Sequence, residues 1–118
     1  MADLKALIRY RKHEVDEKQR IVAQLYRQAE EIEQRKQAIL DQIQKERQKA
    51  EEMAEPFAMT HYGLYVDGAR KKIKGFDQAL AKVNARIDKA REALREAFAE
   101  LKKIEITQRQ REEEEEEE

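Results

Sequence analysis

An all-α fold, two long helices forming an antiparallel coiled-coil hairpin, is predicted by three features of this 118-residue chain. The composition is poor in turns, with three glycines, one proline and 43% charged residues, which leaves little to punctuate a sheet fold. Apolar residues recur at alternating spacings of four and three, a mean of about 3.5 that marks a coiled-coil seam. That repeat changes phase once, at the chain's one proline, Pro56.

The first seam runs Leu4, Ile8, Arg11, Val15, Lys18, Val22, Leu25, Ala29, Ile32, Lys36, Ile39, Ile43, Glu46, Ala50, Met53 and Phe57. Only Arg11, Lys18, Lys36 and Glu46 break its apolar character. It predicts a helix over 3–54. Pairs four apart, Glu14–Lys18, Asp16–Arg20, Glu31–Arg35 and Asp41–Lys45, are expected to support its outer face.

Pro56 lacks an N–H and pushes the residue before it out of helical geometry, so a turn is expected near residues 55–60. Extending the first seam beyond Phe57 lands on Thr60, Leu64, Asp67, Lys71 and Lys74, of which one is apolar. The second seam starts afresh: Met59, Tyr62, Val66, Ala69, Ile73, Phe76, Leu80, Val83, Ile87, Ala90, Leu94, Ala97, Leu101 and Ile104, apolar throughout. It predicts a helix over 58–111. Gly63, Gly68 and Gly75 loosen its start, each costing up to ~1 kcal/mol against Ala. Arms of nearly equal length and a short connection favour an antiparallel hairpin, a single domain over 1–111. Residues 112–118 are seven glutamates, expected as a frayed, solvated tail or as an acidic screen over the basic N-terminal residues. Without them the chain has 25 basic and 19 acidic residues.

Such a hairpin buries one narrow strip and has little interior for a pocket. The composition points the same way. There is no Cys or Ser to act as nucleophile, no Gly-rich phosphate loop and no His-Glu-x-x-His. No enzyme activity, catalytic residue, cofactor, metal or small-molecule substrate is therefore expected. His13 and Glu17 stand one helical turn apart but no further ligand is implied; His61 reads as a contact or cap residue in the turn. The run Arg70, Lys71, Lys72, Ile73 and Lys74 reads first as a solvated basic face, then as a contact for an acidic protein, and least as a nucleic-acid patch. The longest uncharged stretch, residues 56–66, is 11 residues, short of the ~20 needed to span a bilayer. Lys5, Arg9, Arg11 and Lys12 interrupt any apolar signal core, and a soluble, cytoplasmic protein is expected.

The turn region gathers Phe57, Met59, Tyr62, Leu64, Tyr65 and Val66 in ten positions. They form either a local cap on the hairpin tip or an exposed apolar patch that docks a partner. Independently of any family, Arg9, Arg11 and Lys12 are the candidates for one contact, and Tyr62, Leu64 and Tyr65 for another.

Leu7-Ile8-Arg9-Tyr10-Arg11-Lys12, then Val15-Asp16-Glu17-Lys18-x-Arg20 and Leu25, resembles the opening of the FliJ family of flagellar type III export proteins. Tyr62-x-x-Tyr65-Val66, followed by Ala69 and Ile73, resembles that family's Tyr-x-x-Phe-Ile pattern just past the turn. The resemblance implies a hairpin like the central stalk of rotary ATPases, cytoplasmic and peripheral at the inner membrane. The implied partners are a hexameric export ATPase, entered by the paired termini, the membrane-embedded export gate, and export chaperones. The gate-contact motif would carry over to Tyr62, Tyr65, Ala69, Lys72 and Phe76, with Tyr65 standing at a usual Phe, Ala69 at a usual Leu and Lys72 at a usual small residue. An injectisome counterpart shares this layout. Two other readings are a prefoldin-like holdase chaperone and a structural coiled coil that homodimerises through the second seam.

Overall fold

The computed structural model describes residues 4–117, which fold as an all-α helical hairpin of two elements, α1 (Lys5–Met53, 49 residues) and α2 (Pro56–Glu117, 62 residues). No strand occurs among the described residues. Both seams face inward. Of their positions only Met53, Phe57 and Met59 are exposed, all three beside the turn. The pattern thus fails only where the chain reverses and no opposing helix remains to cover it.

The connection is tighter than the expected turn at 55–60, because the reversal takes only Ala54 and Glu55. Ala54 adopts a left-handed conformation with φ 52°, and its N–H donates to the Ala50 carbonyl at 3.3 Å, the bond that closes a helix through a left-handed C′ residue. The Glu55 carbonyl then accepts from the N–H groups of Ala58 at 3.0 Å and Met59 at 3.4 Å. Pro56 is consequently the first residue of α2 rather than a residue of the break: its missing N–H falls where a helix has no use for one. The second helix begins two residues before the expected 58.

The chain divides into two compact units, each crossed by both helices: Met1–Tyr26 with Arg86–Glu118, and Arg27–Ala85. In the first, Val15, Ala97 and Leu101 are buried together, with Ile8 and Leu94 packed against them. The residue just before α1 is tied across to α2, since the Leu4 N–H donates to Gln108 Oε1 at 3.3 Å. Residues beyond 108 remain helical to Glu117. The glutamates at 112–117 are exposed and helical, and they run on past the start of α1; Glu118 lies outside the described residues.

In the second unit the core is Ala50, Ala58, Val66, Ala69, Leu80 and Val83. Here Lys36 Nζ meets Asp77 Oδ1 at 2.7 Å, joining α1 to α2 and fixing their register. The bond to Asp77 raises the Lys36 pKa, against a smaller opposing effect of desolvation.

The charged seam positions Arg11, Lys18, Lys36 and Glu46 are all half-buried, their long stems lying along apolar surface while their heads reach water or a partner. The ion pairs on the outer face differ from those expected. Glu14 pairs with Arg11 at 3.2 Å rather than Lys18, and Arg20 with Glu17 at 3.1 Å rather than Asp16. Asp41 accepts from Gln37 at 3.0 Å.

Candidate functional site

Near the start of α1, Arg9 and Lys12 are exposed. With Lys5, Ala6 and Ile8 they line a shallow groove of about 490 Å³, because positions 5, 8/9 and 12 share one helical face. Arg11 belongs elsewhere. It is a seam residue, half-buried, with its guanidinium 3.2 Å from Glu14 and 5.9 Å from the centre of the Tyr10 ring. Its Nε is buried without a hydrogen-bond partner. A hydrogen bond to Glu14, and then the Glu14 charge, push the Tyr10 hydroxyl pKa up, while Arg11 draws it down. The three cations of the sequence motif therefore split into an outward pair, Arg9 and Lys12, and an inward packing residue.

Just past the turn, Leu64, Tyr65, Ala69 and Lys72 converge with Ile39 and Gly68 around a groove of about 260 Å³. Leu64 is 68% exposed while Ala69 is buried as its floor. Tyr62 is half-buried and faces a second groove, of about 160 Å³, with Met53, Phe57, Ala58 and His61. The Phe57 and His61 rings stack there at 6.4 Å and 17°. Phe76 is a half-buried seam residue that lines neither groove. Of the tip residues Phe57, at 77% exposure, Met59 and Leu64 are exposed, whereas Tyr62 and Tyr65 are half-buried and Val66 is buried, so the cluster is part patch and part packing.

The remaining sequence candidates are dispersed. His13 Nε2 lies 3.8 Å from Glu17 Oε1 with both side chains exposed, and no group of three or more metal-ligating side chains occurs among the described residues. Arg70, Lys71, Lys72 and Lys74 are exposed around a half-buried Ile73. No helix among the described residues is long and apolar enough to cross a membrane.

One surface was not singled out from the sequence. In the first unit, Val22 and Leu94 form the floor of a groove of about 460 Å³ whose lining includes Tyr26 and Phe98, with Arg91, Arg95 and Gln19 completing it. Tyr26 and Phe98 are 47% and 49% exposed. Lys102 Nζ lies 5.3 Å from the centre of the Phe98 ring. The signal was available: Tyr26 and Phe98 are one residue off their seams, so they flank the packed strip.

Compared with models of known protein families, with curated proteins and with solved structures, the chain matches none. The functional reading therefore rests on its own residues and geometry.

Proposed function

We propose that this chain is a non-enzymatic stalk or adaptor of a flagellar type III protein export apparatus, which binds the export ATPase, promotes its assembly or activity and so supports motility. The observation that carries the proposal is the groove of Leu64, Tyr65, Ala69 and Lys72 immediately after the two-residue turn, where the FliJ-like pattern sets its contact with the membrane-embedded gate. The outward pair Arg9 and Lys12 serves as the ATPase contact. Arg11, packed against Glu14 and Tyr10, acts on that contact only through the helix it stabilises. Export chaperones are further partners, and attachment to the gate holds the protein at the cytoplasmic face of the inner membrane.

In this mechanism the chain does no bond chemistry. A stiff helical pair biases the packing of the ATPase subunits through charge and shape. The prefoldin-like alternative is less favoured, because that fold inserts β-hairpin strands between its helices and the connection here is Ala54 and Glu55 alone.

The test is hydrolysis of ATP by the export ATPase of the same organism, titrated with the full chain, with Arg9→Ala/Lys12→Ala, and with Arg11→Ala. Stimulation that saturates near one chain per hexamer, and falls in the Arg9/Lys12 variant, is the expected result. An unchanged rate at every ratio removes the stalk mechanism.

A further inference from the structure

The first unit holds a groove and a helix segment of opposite charge. The groove between Tyr26 and Phe98 carries Arg91 and Arg95 and is lined by no acidic side chain. Six exposed glutamates, 112–117, continue α2 as helix beyond the start of α1. Because the segment is helical and leads away from its own groove, it presents its carboxylates in register to another molecule.

That register can be read. Positions 91, 95, 98, 102, 105, 109, 112 and 116 repeat the four-three spacing of the seam, on a stripe beside it. The stripe begins basic and ends acidic. Laid antiparallel on a second copy so that Lys102 faces Glu105, it sets Arg95 against Glu112 and Arg91 against Glu116. Phe98 then faces Arg109, a cation over an aromatic ring. Each match occurs twice, once on either side of a two-fold axis, as an isologous pair requires. No like charges meet along the stripe, and charge matching at positions flanking a seam is what sets partner and orientation between helices.

We infer that this protein associates with a second copy of itself through the carboxyl-terminal half of α2, each copy's acidic helix seating in the basic aromatic groove of the other. The bonds that must give way are weak. Arg95 is held only by Glu92, at 3.0 Å on an exposed surface. The intrachain Lys102–Glu105 pair is long, at 3.9 Å, and Glu112 takes a single hydrogen bond from Gln108 at 3.1 Å. Pairing leaves both seams intact, so it differs from dimerisation through the second seam. It stands independently of the stalk reading.

Sedimentation equilibrium of the full chain tests this, at about 10 mM and about 1 M salt, between which the screening length falls from ~30 Å to ~3 Å. A dimer is expected in low salt, with association weakened at least tenfold in high salt. Arg91→Glu/Arg95→Glu, and separately Glu112→Lys/Glu116→Lys, should each sediment as a monomer while keeping wild-type helicity by circular dichroism. Mixing those two variants should restore a dimer, since each groove then meets a tail of opposite charge. A monomeric wild type in low salt overturns the inference. So does a dimer that either charge reversal leaves unchanged, or a mixture that stays monomeric.

Discussion

Exchanging alanine and glycine should change stability with opposite sign at the turn and within α2. Ala54 holds φ 52°, a conformation that costs an L-residue with a Cβ about 1–2 kcal/mol and glycine almost nothing. Ala54→Gly relieves that strain but loosens the unfolded chain, at about 0.4–1 kcal/mol. The net expectation is a gain of roughly 0.5–1 kcal/mol. Gly68 is helical and exposed, and a Cβ built there meets nothing within 4 Å. Gly68→Ala therefore keeps its full helix-propensity gain of about 0.8–1 kcal/mol. Urea unfolding followed at 222 nm should show a higher midpoint for both variants. The reverse exchange at a control position, Ala85→Gly in exposed mid-helix, should lower it by about as much. If Ala54→Gly is instead destabilising, Ala54 is not the left-handed closing residue of α1, and the account of the two-residue turn fails.

Leu101→Ala, at a site 6% exposed and packed with Val15 and Ala97, should cost about 2–4 kcal/mol, read as a lower urea midpoint. Leu64→Ala, at 68% exposure, should cost under about 0.5 kcal/mol; if the proposed stalk function holds, it should also weaken binding to a purified export gate, measured by calorimetry. Asp77→Asn removes the charge that faces Lys36 at 2.7 Å. Since that bond raises the Lys36 pKa, its stabilisation is complete below the ordinary lysine value of about 10.4 and disappears as pH rises through the raised one. The stability difference between wild type and Asp77→Asn should accordingly hold steady through neutral pH and close in the alkaline range.

How much of this molecule could be read in advance depends on whether a feature is periodic or local. The two seams were legible because burial along a helix pair repeats every 3.5 residues, so each position is confirmed by its neighbours. Even Lys18 and Glu46, charged, fall on the buried side because the repeat decides orientation and the side chain adapts. The turn was legible only to within a few residues. Pro56 announces a boundary, but proline suits a first helical turn as well as it ends a preceding helix, and nothing in Ala54 announces a positive φ. The helical continuation through 112–117 was not legible, because like-charge repulsion argues locally against helix, whereas the structure continues a helix packed upstream. In the candidate site, the spacing that makes Arg9 and Lys12 neighbours also turns Arg11 inward. A motif read as three consecutive letters hides this, and a helical projection shows it.

The unequal seams bear on what the hairpin selects. An uninterrupted apolar stripe such as that of α2 binds any similar stripe, including another α2, in several registers. Charges placed in α1 remove that freedom at some expense in stability. Lys36 is satisfied at the one register that brings Asp77 within 2.7 Å, and sliding α2 by a heptad would leave a half-buried ammonium facing a seam with no carboxylate. Arg11 does not share in that choice, since its guanidinium is held by Glu14 of the same helix. The pairing of α1 with α2 is thus biased in register by the Lys36–Asp77 pair and stabilised by apolar residues. A partner that gained access to the α2 seam would have to displace both, so binding is directed to the surfaces flanking the seam, where Leu64, Tyr65, Tyr26 and Phe98 already lie.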